Sequence, residues 1–240
     1  SYDIGVAHDG GYAQYARIPA EWVVPLPKGL DLFEAMALGT AGFTAALAVE
    51  RMEHGGLRPA NGPVIVTGAT GGVGSIAVDI LAGAGYHVVA LTGKENATDY
   101  LKGLGANEVM LRGGLDLAKI KPLDKATWAG AVDNLGGDVL AWLASTMQIG
   151  GTLASIGLAA SHNFNTTVMP FILRGVSLLG VDSVNAPMPL REKVWKRLGG
   201  DLKPRHLKSI VTTVDFADLP GVFEKVMNAK MRGRAAIKIG

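Results

Sequence analysis

The sequence predicts an α/β fold, a doubly wound parallel sheet, on three observations. From residue 63 onward short apolar runs alternate with helical stretches. The first apolar run ends in a glycine cluster that opens a helix. Hydrophobic residues make up 48% of the 240 residues, enough side chain to build a core. Strands covered on both faces read as unbroken apolar runs, and right-handed crossovers then wind such a sheet in both directions.

Before that alternation, residues 1–30 read as loops and short strands. Gly10-Gly11 marks a turn, 12–18 fits a strand, and 22–27 is extended; Pro19, Pro25 and Pro27 forbid a long helix. Asp31 and Glu34 have capping-box spacing ahead of an Ala-rich helix that runs to about Met52 and stops at Gly55-Gly56. VIVTG (64–68) is then a buried strand, 73–84 a helix, HVVALT (87–92) a strand, 95–104 a helix, and EVML (108–111) a third strand. GAVD (130–133) is a strand and 138–147 a helix, while TLASIG (152–157) and VSLLGV (176–181) close the series. The rhythm stops after Ser183. A helix holding Trp195 follows Pro187 and Pro189, then a strand VTTVDF (211–216), an amphipathic helix over 219–231 and a last strand over 235–239. This gives a nucleotide fold over 31–183, with 1–30 and 184–240 packing together outside it.

Composition excludes several classes. The 33 glycines follow no G-X-Y repeat, so the chain is not collagenous. A net charge of +2, with no block of Lys and Arg, argues against a nucleic-acid partner. There is no cysteine, hence no disulfide and no thiolate zinc site, which accords with a reducing, cytoplasmic setting. Charges interrupt every long apolar run, so no membrane span is expected.

The strongest chemical signal is Gly68-Ala69-Thr70-Gly71-Gly72-Val73-Gly74, between a strand and a helix. Gly71 lets backbone approach a pyrophosphate, Gly74 lets the helix pack close to the strand, and the free N–H groups at the helix start face the anion. Ala69 replaces the first glycine of the commonest Rossmann fingerprint; a plain glycine-rich turn is the alternative. NAD-binding chains place Asp or Glu about 20 residues further on, against the ribose 2′-hydroxyl. Here the second strand ends Thr92-Gly93-Lys94, with no acid at Thr92. Thr92 can donate to a 2′-phosphate and Lys94 can pair with it, which favours NADPH. Glu95 weakens that case, and a solvated lysine is the alternative. Arg112, after the third strand, would stack on adenine or reach the same phosphate, unless it caps a surface turn. Leu158 and Ser183 follow later strands, at the end of the sheet where ligands lie. Leu158 would wall the nicotinamide and Ser183 give a polar contact. The five histidines have no metal spacing, Ser155 and Ser161 lack a nucleophile elbow, and His8-Asp9 reads as a solvated loop pair.

Together these residues resemble the medium-chain dehydrogenase/reductase superfamily, in its zinc-independent, quinone-oxidoreductase-like branch and nearest the bacterial NADPH-dependent acrylyl-CoA reductases. The likeness rests on DGGYAQYA (9–16), WVVPLP (22–27), GTAGFTAAL (39–47), VTGATGGVGS (66–75), WAGAVD (128–133), TTVMPFILRGVSLLGVDSV (166–184) and GRAAIKI (233–239). It implies a Rossmann domain plus remnants of a barrel-like, GroES-like catalytic domain. It also implies NADPH contacts at Thr70, Gly71, Gly72, Val73, Thr92, Gly93, Lys94, Arg112, Leu158, Ile172 and Ser183. The stretch LGTAG (38–42) stands where zinc-dependent relatives carry a cysteine ligand, which argues against a catalytic metal. Chains of this family begin well before the position of Ser1, and that earlier part holds a tyrosine near the nicotinamide. No catalytic residue is named within these 240 residues. The expected activity is reduction of a small enoyl thioester such as acrylyl-CoA; the alternatives are a quinone or alkenal reductase, or a non-catalytic NADPH-binding protein. A sixth strand at the sheet's apolar edge would pair with another copy in a homodimer.

Overall fold

The capping box forms at Asp31. Its carboxylate accepts from the Glu34 N–H at 2.7 Å, and the Glu34 carboxylate accepts from the Asp31 N–H at 3.0 Å. It starts α1 (Leu32–His54), which Gly39 bends with a φ of +48°, a region glycine enters without a Cβ penalty. After the bend, Ala41, Ala45, Ala46 and Ala48 are buried, and these small side chains let neighbouring elements come close. The computed structural model describes all residues, 1–240.

The alternation then unfolds in the order read. β1 (Val64–Thr67), α2 (Gly72–Gly83), β2 (Val88–Thr92), α3 (Thr98–Gly103), β3 (Glu108–Leu111), β4 (Trp128–Asp133), α4 (Gly137–Thr146), β5 (Met147–Ser155), α5 (Met169–Arg174) and β6 (Ser177–Gly180) follow one another. β5 starts five residues earlier than the expected strand over 152–157, and α5 is an unexpected short helix before the last strand of the series. All six strands are parallel, in the order β3-β2-β1-β4-β5-β6. The period of two sorts the side chains onto two faces. Val64, Val66, Val88 and Ala90 join one core with residues of α1 and α2, while Ile65, Val89, Leu91 and Ala131 face α4 in a second. β6 is an edge strand, as the sixth strand was expected to be.

Past β6 lie α6 (Met188–Leu198), α7 (Leu207–Ile210), β7 (Val211–Asp215), α8 (Leu219–Met227) and β8 (Arg234–Lys238). Trp195 of α6 stacks on Phe43 of α1 with ring centroids 6.2 Å apart, so this segment shares the core of the nucleotide fold. β7 and β8 pair in parallel as a separate two-stranded sheet. The N-terminal residues meet this region: the Tyr12 and Phe223 rings lie 6.2 Å apart, and Arg191 sits over the Tyr2 ring at 4.4 Å.

Three further expectations fail locally. Residues 12–18 form no strand, because no neighbouring strand supplies hydrogen bonds. The amphipathic helix ends at Met227 rather than 231, where Ala229 turns to a φ of +53°. α1 is also long and apolar enough to cross a membrane (mean hydropathy 1.6 over its best window), which no segment was expected to be; here Leu38, Phe43, Leu47 and Met52 are covered inside the protein, while Leu32, Phe33 and Met36 stay exposed.

Candidate dinucleotide site

In a doubly wound sheet the ligand crevice opens where strand order reverses, beyond the carboxyl ends of β1 and β4. Two polar residues end these otherwise apolar strands. The Thr67 hydroxyl donates to Asp133 Oδ1 at 2.6 Å, and the Asp133 carboxylate accepts the N–H groups of Gly136 (2.7 Å) and Leu135 (3.3 Å). Asn134 closes the network, its N–H reaching Thr67 Oγ1 at 2.9 Å and its side-chain amide Thr67 C=O at 2.7 Å. Burial raises the Asp133 carboxyl above its usual range, and the Thr67 and backbone donors oppose that shift. Sequence reading passed over this pair; a polar residue closing each of two facing apolar strands was the available signal.

From β1 the chain turns through Gly68, at φ +56°, to Gly71, the N-cap of α2. No side chain caps this helix. The N–H groups of its first turn, at Gly72 and Val73, have no partner within the helix and lie at the positive end of its dipole. A Cβ on Gly74 would stand 2.3 Å from Gly68 O and 2.8 Å from Ala69 Cα, so only glycine allows this close contact. Thr70 is buried, and its C=O accepts the Gly233 N–H at 2.9 Å. This turn therefore presents donors to an anion.

A second group gathers at the tip of β2. Thr92 Oγ1 accepts the Lys94 N–H at 3.1 Å, leaving its own O–H to donate elsewhere. The Arg112 guanidinium lies 3.7 Å from where a Gly93 Cβ would be. Lys94 Nζ donates to Met231 C=O at 2.6 Å. Burial, and next the charge of Arg232, hold the Lys94 ammonium below its usual range.

The structure thus brings residues 70–73, 92–94 and Arg112 to the carboxyl ends of β1, β2 and β3. It does not bring the other three into one wall. Leu158, 67% exposed, lines a cavity of about 300 Å³ with Gly136, Ser161 and Phe164. Ser183 lines a different cavity of about 590 Å³, with Trp22, Phe43, Arg191 and Trp195. Ile172, on α5, is 71% exposed and lines neither.

Sequence reading also missed Arg234, which folding delivers from the far end of the chain. Its Nε donates to Ala37 C=O at 3.2 Å, and its Cδ lies 2.9 Å from the place of a Gly72 Cβ, beside the start of α2. No three His, Cys, Asp or Glu side chains of these residues stand together.

A switch-point crevice beside a glycine-lined helix start defines a dinucleotide-binding protein. Comparison with known proteins narrows this. The family model described as zinc-binding dehydrogenase matches residues 72–198. Putative quinone oxidoreductase YhfP of Bacillus subtilis is 51% identical over 240 residues, all of this chain and 73% of that one. Its crystal structure with NAD bound superposes with a TM-score of 0.96, covering 99% of this chain and 73% of that one. Acrylyl-CoA reductase AcuI of Ruegeria pomeroyi is 45% identical over 236 residues, 98% of this chain and 72% of that one. The crystal structure of Escherichia coli YhdH with bound NADPH, 44% identical, has a TM-score of 0.95 and covers 100% of this chain and 73% of that one. The chain belongs to the medium-chain dehydrogenase/reductase superfamily and is an oxidoreductase of this nicotinamide-dependent class.

Proposed function

We propose that this protein uses NADPH, in a cytoplasmic setting, to reduce the carbon–carbon double bond of a small α,β-unsaturated acyl thioester of the acrylyl-CoA type. The observation that carries the cofactor choice is the tip of β2, where Lys94, Arg112 and Arg232 form no ion pair and Thr92 occupies the acid's usual position. An acid there would repel a 2′-phosphate; these residues attract one. The substrate class rests on the 45% identity to a protein named acrylyl-CoA reductase. The quinone reading keeps its place because the 51% identical relative is named for that activity.

In this reading the N–H groups of Gly72 and Val73, with Thr70, Gly71 and Arg234, hold the diphosphate. Thr92, Gly93, Lys94 and Arg112 hold the adenosine end, and Leu158, Ile172 and Ser183 serve the nicotinamide end. Bound NADPH supplies hydride chemistry. The chain's own part is to fix the crevice. Asp133 and Thr67 hold the backbone at 134–136, and Gly157 packs so closely on it that a Cβ would stand 2.5 Å from Asn134 O. Such fixing matters because reacting carbons must be held in contact and shielded from water.

The test follows loss of NADPH absorbance with acrylyl-CoA, crotonyl-CoA and a set of quinones. Turnover of the thioesters at least about ten times more efficient than that of quinones is expected, a transition-state difference of about 1.4 kcal/mol. No turnover of either thioester would remove the substrate assignment and leave the quinone reading.

We also infer a homodimer joined along β6. Leu178 on that edge and Val168 and Leu173 beside it are exposed, an apolar strip of the kind that pairs with another strand. Sedimentation at micromolar concentration should show twice the chain mass; a monomer overturns this.

A further inference from the structure

Residues 231–234 return from the C-terminal end of the chain and lie across the dinucleotide fold. Three hydrogen bonds fix them there: Gly233 N–H to Thr70 C=O, Lys94 Nζ to Met231 C=O, and Arg234 Nε to Ala37 C=O. Gly233, at φ +63°, turns the backbone between two arginines. A Cβ there would stand 2.0 Å from Ile210 O, so the turn requires glycine. The two arginines then reach different places. Arg234 lies beside Gly72 at the start of α2. Arg232 lies over the Tyr100 ring, its guanidinium carbon 4.6 Å from the centroid. Tyr100 is held in turn, its hydroxyl donating to Ser75 Oγ at 2.9 Å, and Ser75 belongs to α2. The guanidinium therefore rests on a fixed platform, one residue along from the Met231 carbonyl that holds Lys94.

Neither cation has an acidic partner. Glu95 and Asp99, the acids nearest Lys94 along the chain, and Glu224, the acid nearest Arg232, form no ion pair with either. Two like charges at a partly buried place repel each other, and a dianion between them turns that repulsion into attraction. Lys94 already feels the repulsion, since the charge of Arg232 adds to burial in lowering its proton affinity.

We propose that Arg232 is a specificity-determining residue for the ribose 2′-phosphate of NADPH, holding it from the C-terminal return together with Lys94. This rests on the NADPH reading above and extends it to a residue outside the crossover that follows β2. The site is then built from two parts of the chain that meet only on folding.

Calorimetry on the intact protein tests it, with NADPH, NADH, 2′-AMP and 5′-AMP as ligands for wild type, Arg232→Gln and Arg232→Lys. Arg232→Gln should weaken NADPH and 2′-AMP about 10–100-fold, the worth of a charge-assisted hydrogen bond. NADH and 5′-AMP should change less than about 3-fold, which also shows the fold intact, and Arg232→Lys should recover part of the loss because it restores the charge without the fork. A wild type that prefers NADPH with an Arg232→Gln variant that keeps the preference, or loses both nucleotides equally, overturns the role of Arg232 alone. A wild type that binds both dinucleotides equally overturns the NADPH reading, and this inference with it.

Discussion

The seam between α1 and α6 and the tip of β2 use the same kinds of side chain to opposite ends. In the seam, Lys193 and Arg197 each have an anion within the protein, while Arg191 is held by backbone carbonyls and by the Tyr2 and Phe43 rings. Glu50 receives Lys193 and Arg197, and Arg197 also reaches Glu53 at 2.7 Å and Asp201 at 2.6 Å. The Tyr86 hydroxyl completes the group, donating to Glu53 at 3.0 Å. At the tip of β2, Lys94, Arg112 and Arg232 gather without a carboxylate. Balanced charge joins two elements of the fold. Unbalanced charge, held in place by Tyr100 and the Met231 carbonyl, costs the free protein repulsion and is an arrangement suited to an external anion.

The largest way to break this contrast is to remove the crevice that the tip serves. Gly74→Ala places a methyl 2.3 Å from Gly68 O, a backbone atom that cannot rotate aside. It should cost about 3 kcal/mol, the top of the overpacking range, divided between folding and binding. NADPH and NADH should weaken together, by up to about 100-fold. Thermal unfolding with and without each dinucleotide reads both shares; unchanged binding and stability would show that the α2 turn yields more easily than its geometry implies.

Lys94→Glu sharpens the contrast, because it gives the tip the anion it lacks. The NADPH-to-NADH affinity ratio should fall about 10–100-fold, since a charge-assisted hydrogen bond is lost and a repulsion added. An unchanged ratio refutes the role given to Lys94.

Contiguity decides how much of this was legible in the sequence. β1, β2 and β4 read directly because their apolar runs are local and bounded by turns. α5 and α7 did not, since helices of 6 and 4 residues are too short to show a period. Residues 12–18 have strand-like composition, but a strand exists only with a neighbour, and pairing is not a local property. The same holds for the site. Gly71 to Gly74 and Thr92 to Lys94 are contiguous, so their chemistry stands in the text. Arg232 and Arg234 lie far from both in the chain and acquire meaning only when Gly233 docks on Thr70. Leu158, Ile172 and Ser183 show the converse: each follows from its strand or from family likeness, yet no short pattern tells which wall a side chain lines.

The seam offers the smallest prediction, with a definite sign. Burial alone would raise the Glu50 carboxyl, but the hydrogen bonds from Lys193 and Arg197 outweigh it, and the carboxyl ends below its usual value. A carboxylate whose pKa falls on folding stabilises the protein above its unfolded pKa, near 4.5. That stability disappears as pH drops through the lower folded value. Glu50→Gln should therefore cost about 1 kcal/mol at pH 7, near the upper end for partly exposed ion pairs, because Arg197 keeps Glu53 and Asp201 while Gln escapes the desolvation of a charge. Urea unfolding at pH 7, 5 and 3.5 should show the gap between wild type and variant steady down to about pH 5 and shrinking below it. A gap that widens on acidification would mean that burial, not pairing, governs Glu50, and the seam would then be no more balanced than the tip.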